Sequence, residues 1–114
     1  MGKIIREIAE WHEQTFKEES LNGQSGKFLE ELIEFFDEDD PEKAVTELAD
    51  CFIVACGIWR FSKVDALPAF INIENIMHNR GISYEELTNA INKKMEINRS
   101  RNWEKNGEGS YQHK

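Results

Sequence analysis

The longest apolar run of the chain, Leu48 to Trp59, constrains the fold more than any other feature. Asp50 interrupts this run, and the run is well short of the ~20 residues that a membrane-spanning helix needs. A helix start precedes it, because Asp40 can accept hydrogen bonds from the first N–H groups of a helix and Pro41 suits the first turn. A helix from there to about residue 60 is apolar almost all round in its second half, which predicts a central helix with several neighbours.

Helical periodicity dominates the rest of the chain. Apolar side chains recur at three- and four-residue steps over residues 4–16, 28–37, 70–77 and 87–103. We predict a polar, glycine-containing connection over Leu21 to Gly26. We also predict a shorter fourth helix between residues 62 and 81, in which Pro68 lies near the start. Ser83 and Glu86 have the spacing of a capping box, which predicts the beginning of the last helix.

These elements predict an all-α fold, a bundle of four to five helices. The bundle would form one domain over residues 1–104, followed by a flexible tail over residues 105–114. We interpret Cys51 and Cys56 as small core residues in a reducing compartment, because neither has a partnering His or Cys at metal-ligand spacing. The N-terminal residues lack the apolar region of a signal peptide, so we expect the protein in the cytoplasm.

Charge is unevenly distributed along the chain. The formal net charge is -8; residues 1–50 carry 15 acidic and 5 basic side chains, whereas residues 51–114 carry 7 acidic and 9 basic ones. The net negative charge disfavours direct binding to nucleic acid. An acidic half that attracts cations, beside a mildly basic half, suits a ligand that is a complex of metal and phosphate.

Five acidic residues have the most informative spacing. On a helix, Glu30, Glu31 and Glu34 fall within an arc of ~100°, and Glu47 and Asp50 lie ~60° apart. A solvated surface acid is the ordinary interpretation of any one of them. Asp50, however, lies where its helix becomes buried, and a buried carboxylate without a partner is costly. Since Mg2+ combines a few carboxylates with water and substrate phosphates, the motif predicts a metal site.

Three polar residues continue the apolar stripe of the last helix. Lys94, Asn98 and Arg101 follow one another at steps of four and three. In one interpretation the last turns project beyond the core, and the cations interact with the helix C-terminus. In the other, this face returns to the acidic residues and binds phosphate oxygens.

Three aromatic residues near helix ends are candidates for stacking on a base. For Trp11 and Phe16 core packing is the favoured interpretation. Trp103 directly follows the candidate phosphate-binding segment and fits either role. The three histidines have no spacing that predicts a metal site or a catalytic triad, and we assign them no role.

Together, the two charged motifs resemble the MazG-like, all-α nucleoside triphosphate pyrophosphohydrolase superfamily. Its signature is E-E-x-x-E, a spacer and E-x-x-D, with K-x-x-x-N-x-x-R further on, and the chain matches both. Asp40-Pro41, Gly81-Ile82-Ser83 and the segment from Lys94 to Trp103 look most like the phage and bacterial dATP/dGTP diphosphohydrolase group. The resemblance covers about residues 5–103 and is weaker over residues 61–80 and over the predicted 21–26 connection.

The resemblance implies a MazG-like helical bundle that assembles into a homodimer or homotetramer. It implies a hydrolase that uses Mg2+, or Mn2+, to convert a (deoxy)nucleoside triphosphate, dATP or dGTP, to the monophosphate and pyrophosphate. The enzyme would act in the cytoplasm of a bacterial or phage-infected cell.

Site roles follow from the same resemblance. The implied metal ligands are Glu31, Glu34, Glu47 and Asp50. Glu30 would lie beside the metal or accept a proton, and we assign a catalytic role to Glu30 and Glu34. The substrate-binding candidates are Lys94, Asn98, Arg101 and, from its position after them, Trp103.

Two alternative functions share these motifs. A related pyrophosphohydrolase would act on dUTP, dCTP or a damaged nucleotide. A non-catalytic helical module would keep the acidic residues for a metal or a basic partner, although the intact motif positions argue against it.

Overall fold

Five helices and a short antiparallel hairpin make up the part of the chain that the computed structural model describes, residues 1–101, 103–105 and 111–113. In chain order they are α1 (Gly2–Thr15), α2 (Leu21–Asp37), α3 (Pro41–Phe61), α4 (Lys63–Arg80), α5 (Tyr84–Ser100), β1 (Trp103–Lys105) and β2 (Tyr111–His113). In the hairpin, Trp103 pairs with His113. The predicted all-α fold with as many as five helices is confirmed, whereas nothing in the sequence pattern predicted the hairpin.

α3 is the central element, as predicted. It packs against each of the other four helices, and all its residues from 51 to 58 are buried. Asp40 caps this helix, because its carboxylate accepts the N–H groups of Glu42 at 2.9 Å and Lys43 at 3.4 Å. One hydrophobic cluster around α3 includes side chains from all five helices, and it contains the free thiols of Cys51 and Cys56. The interpretation of the two cysteines as core residues is therefore confirmed.

α2 begins at Leu21, well before the predicted start near Phe28. The predicted connection over Leu21–Gly26 is wrong, since this segment is helical. Ser20 caps the helix: its hydroxyl accepts the N–H of Gly23 at 2.9 Å and its carbonyl accepts the N–H of Gln24 at 3.0 Å. The Ser20 cap and the packing of Leu21 against the core outweigh the low helix propensity of glycine, and sequence periodicity alone does not reveal either contribution.

α4 is longer than predicted. It runs from Lys63 to Arg80 and contains Pro68 in its interior, where the missing N–H leaves the carbonyl of Val64 without its helical donor. Ser62 caps its start by accepting the N–H of Asp65 at 3.2 Å. Gly81 caps the C-terminal end of the helix, and its positive φ of 68° is a conformation that glycine adopts without strain.

α5 begins at the predicted capping box. The side chain of Ser83 accepts the N–H of Glu86, and the Glu86 carboxylate accepts the N–H of Ser83, both at 3.1 Å. The helix ends at Ser100, slightly before the predicted end near Trp103. The division into a domain over 1–104 and a flexible tail over 105–114 stays a prediction, and residues 106–110 and 114 of that tail lie outside the described residues. Among the described helices, none combines the length and apolarity needed to cross a bilayer.

Candidate active site

Three carboxylates meet where α2 packs against α3. One oxygen from each of Glu31, Glu34 and Glu47 lies within 4.8 Å of the other two, and we call these residues the acidic cluster. Glu31 and Glu34 are three apart on α2, which places them on neighbouring positions of one helix face. The sequence motif therefore corresponds to a real convergence of carboxylates from two helices.

The environment of Glu31 and Glu47 favours their protonated forms. The pKa of Glu31 is raised to about 8, chiefly by burial and also by the charges of Asp50 and Glu34, while the charge of Lys27 opposes the rise. Burial also raises the pKa of Glu47, again with contributions from Asp50 and Glu34. The Oε2 atoms of Glu31 and Glu47 are buried and have no hydrogen-bond partner among the described residues. Carboxylate oxygens that are buried without a hydrogen-bond partner are suited to bind a hard cation, which displaces the proton.

Asp50 lies beside the acidic cluster rather than within it. Its Oδ2 is 3.3 Å from the Nζ of Lys94, which forms an ion pair between α3 and α5. Burial raises the pKa of Asp50, and the Lys94 charge and hydrogen bond oppose this rise. The four predicted metal ligands therefore divide into three that converge and one that pairs with a cation.

Glu30 does not share this environment. Its side chain is exposed on α2, and it is not among the described residues that line the cavity beside the acidic cluster. The adjacent Glu31 is 9% exposed and lies in the cavity wall instead. The structure thus does not bring Glu30 to the other candidates, and its catalytic role stays a prediction.

A cavity of about 430 Å³, which we call the main cavity because the acidic cluster lines it, brings most of the other candidates together. It is lined by the acidic cluster, Asp50, and all four predicted substrate-binding residues, Lys94, Asn98, Arg101 and Trp103. Asn98 is buried, and its backbone carbonyl accepts the indole N–H of Trp103 at 3.1 Å. Of the two interpretations of the last helix, the structure matches the one in which its polar face returns to the acidic residues.

Aromatic rings form another part of the cavity wall. Trp11, Phe16 and Trp103 contact one another edge to face, with ring centroids 5.0 to 6.1 Å apart, and we call them the aromatic cluster. Trp11 and Phe16 are also buried in the core, so each of them packs in the core and lines the cavity as well.

A buried polar network supports the aromatic cluster, and sequence reasoning missed it. The Nδ1 of His12 lies 3.2 Å from both carboxylate oxygens of Glu19, and its Nε2 donates to the carbonyl of Ile53 at 2.9 Å. Arg60 donates to the same Glu19 carboxylate at 3.3 Å and to the carbonyl of Phe16 at 3.0 Å. No sequence spacing indicates these contacts, because they join α1, the α1–α2 connection and α3.

Comparison with known proteins gives a family match over the C-terminal part of the chain. The family model described as dATP/dGTP pyrophosphohydrolase matches residues 61–114. The match covers just under half of the chain, and it shows that the C-terminal part is similar to this family. The matched range contains Lys94, Asn98, Arg101 and Trp103, and it includes residues 61–80, over which the motif resemblance is weaker. The acidic cluster lies outside the matched range. No curated protein and no solved structure matched the chain significantly.

Proposed function

We propose that this chain hydrolyses a purine deoxynucleoside triphosphate, dATP or dGTP, to the monophosphate and pyrophosphate with the help of Mg2+. One observation carries the proposal: a single cavity is lined by carboxylates from α2 and α3, cations at the end of α5 and a cluster of aromatic rings. The carboxylates suit a metal ion, the cations suit the phosphates, and the aromatic rings suit the base. The family match to pyrophosphohydrolases supports the same reaction.

The acidic cluster fits a hard divalent cation. Its donors are all oxygens, and two of these oxygens are buried without a hydrogen-bond partner among the described residues. Glu31, Glu34 and Glu47 would hold Mg2+, or Mn2+ in its place, and Asp50 would join them on releasing Lys94. When bound, such an ion lowers the pKa of a water molecule and stabilises charge on phosphate oxygens.

The chain's own residues would position the substrate. Lys94 and Arg101 supply cationic donors to the phosphate oxygens, and they neutralise the charge that develops on the leaving pyrophosphate. Asn98 would add a side-chain amide donor, and the backbone carbonyl of the same residue accepts the indole N–H of Trp103. Glu34, which is more exposed than Glu31, would accept the proton of the water that attacks the α-phosphorus.

The aromatic cluster would hold the base. Trp103 is the partly exposed member, whereas Trp11 and Phe16 are buried beneath it. A flat base would therefore meet Trp103 first, and stacking on an aromatic ring contributes about 1–3 kcal/mol per base.

A nucleotide panel tests the proposal. The protein would be incubated with dATP, dGTP, dCTP, dUTP, dTTP and 8-oxo-dGTP in Mg2+, and pyrophosphate and orthophosphate would be measured separately. We expect pyrophosphate with dATP or dGTP and none after EDTA treatment. Preference for another base would favour the dUTP, dCTP or damaged-nucleotide alternative, and release of neither product would favour the non-catalytic binding module.

We also propose that the chain assembles into a homodimer or homotetramer. α2 carries an exposed apolar stripe of Leu29, Ile33 and Phe36, whose side chains are 52% to 59% exposed. α4 carries a second stripe of Val64, Leu67 and Ile71. Contiguous apolar faces of this kind are typical of contacts between proteins, and a second copy of the chain would cover them.

A further inference from the structure

Gln24 has an unsatisfied hydrogen-bonding group in the wall of the main cavity. Its Oε1 atom is buried and has no partner among the described residues, and the residue as a whole is 3% exposed. An acceptor without a partner in a buried position costs free energy, so native proteins usually supply a donor. Gln24 lines the same cavity as the aromatic cluster, where a ligand can supply that donor.

The surroundings of Gln24 fix its position without satisfying it. A Cβ added to Gly57 on α3 would lie 2.4 Å from the Gln24 Oε1 and 2.9 Å from the Cε1 of His12, so both side chains pack directly against the α3 backbone. Neither ring nitrogen of His12 is free for the amide, since one faces Glu19 and the other donates to the carbonyl of Ile53. The last torsion of Gln24 is intrinsically broad, and the residue lines the cavity, so its amide can adjust its orientation to a ligand there.

We propose that Gln24 determines base specificity by hydrogen-bonding the edge of the purine that the aromatic cluster holds. This inference rests on the proposed function in that it takes the ligand to be a purine nucleotide. Its Oε1 accepts an N–H of the base, and its Nε2 donates to the neighbouring acceptor. Adenine offers its 6-amino group beside a ring nitrogen, and guanine offers N1–H beside O6. A glutamine amide makes such a two-point pair with adenine in nucleic-acid recognition.

Free deoxynucleosides isolate this step from metal and phosphate. In EDTA, the protein would be titrated with deoxyadenosine and deoxynebularine, which lacks the 6-amino group. It would also be titrated with deoxyguanosine and 2-aminopurine deoxyriboside, which lacks N1–H and O6. Dissociation constants would come from NMR chemical shifts of the protein. Gln24→Met removes the amide but keeps an unbranched helix former, and Gln14→Met makes the same change at an exposed position of α1. Thermal unfolding would confirm that both variants fold.

We expect the wild type to bind at least one parent nucleoside about tenfold more tightly than its analogue, the size of effect that one good amide–base pair gives. Gln24→Met should lose this difference in affinity, and Gln14→Met should keep it. If deoxyadenosine is the preferred parent, Gln24 bonds the 6-amino edge of adenine; if deoxyguanosine is preferred, it bonds the N1–H and O6 edge of guanine. Equal affinity of the wild type for parents and analogues, an equal loss for all four in Gln24→Met, or no nucleoside binding would overturn the inference. Failure of the proposed function would show instead as no pyrophosphate release from triphosphates in Mg2+, with these titrations unchanged.

Discussion

Glu31 is in a position that folding alone does not favour. The carboxylate is nearly buried beside Glu34 and Glu47, one of its oxygens has no partner among the described residues, and its pKa is raised to about 8. A purely structural residue at this site would be apolar, because burying a carboxylate next to others costs free energy. Local conflict of this kind is typical of functional sites.

Without divalent metal, the stability of the protein should fall as the pH rises from about 4.5 to about 8. Unfolded Glu31 has the ordinary pKa of 4.5 and folded Glu31 one of about 8, so in this window the folded state holds a proton that the unfolded state has released. Thermal unfolding in EDTA across this range measures the effect. Glu31→Gln should lack this contribution and exceed the wild type in stability at pH 8; parallel curves for the two proteins would contradict the assignment.

Glu34→Ala and Asp50→Ala should each abolish pyrophosphate release from the preferred dNTP, because each removes a proposed metal-binding carboxylate from the cavity. Initial rates in saturating Mg2+ are the measurement, and Glu13→Ala, an exposed acid on α1, is the matched control. Unchanged turnover in either variant would refute its role. Glu30→Ala decides the catalytic role predicted for Glu30: a loss beyond that of the control supports it.

At the scale of elements, helix caps explain most of the boundaries. Ser20, Asp40, Ser62 and Ser83 each precede a helix and accept N–H groups of its first turn. Asp40 and Ser83 are recognisable in the sequence because Pro41 and Glu86 accompany them. Ser20 and Ser62 have no such accompanying residue, so the sequence does not indicate that α2 begins at Leu21 and α4 at Lys63.

Ser83→Ala should reduce the free energy of unfolding by about 1 kcal/mol, the usual cost of losing a capping hydroxyl. Ser83 and Glu86 form a reciprocal pair at the start of α5, and neither lines the main cavity. Urea denaturation measures the change, and Ser25→Ala, at an exposed interior position of α2, is the control. Activity per folded molecule should stay at the wild-type level. A loss no larger than that of Ser25→Ala would show that the capping box contributes little.

At the scale of the whole molecule, α3 organises the site. Its buried half holds the core, and its first half carries Glu47 and Asp50 to the cavity. α2 and α5 pack on the same helix, so the acids of α2 and the cations of α5 reach a common space. A protein of this size can therefore build a charged cavity only because one apolar helix supplies the packing for all the others.

Ile33→Glu should dissociate the proposed assembly, because it places a charge in the middle of the exposed α2 stripe. Size-exclusion chromatography with light scattering measures the molar mass of wild type and variant. Ile97→Glu introduces the same charge at an exposed isoleucine of α5, a helix that carries neither stripe, and should leave the mass unchanged. A wild-type mass of one chain, or equal masses for wild type and Ile33→Glu, would contradict assembly through α2.

Local patterns in the sequence predict an all-α bundle of four to five helices, the central place of α3 and the two charged motifs. These properties depend on residues within one or two helical turns of each other, so spacing along the chain reveals them. The same reasoning predicts that Glu30, Glu31 and Glu34 share a face and that Lys94, Asn98 and Arg101 share another; Glu31 and Glu34 line the cavity, whereas Glu30 does not.

Only the tertiary structure decided which of these faces meet. It turned Glu30 to the surface, paired Asp50 with Lys94, and brought His12, Glu19 and Gln24 into the cavity wall. The physical reason is that the angles and positions of the helices depend on how the whole core packs. That packing is the sum of many contacts between residues far apart in the chain. A spacing rule within one helix carries no information about that sum.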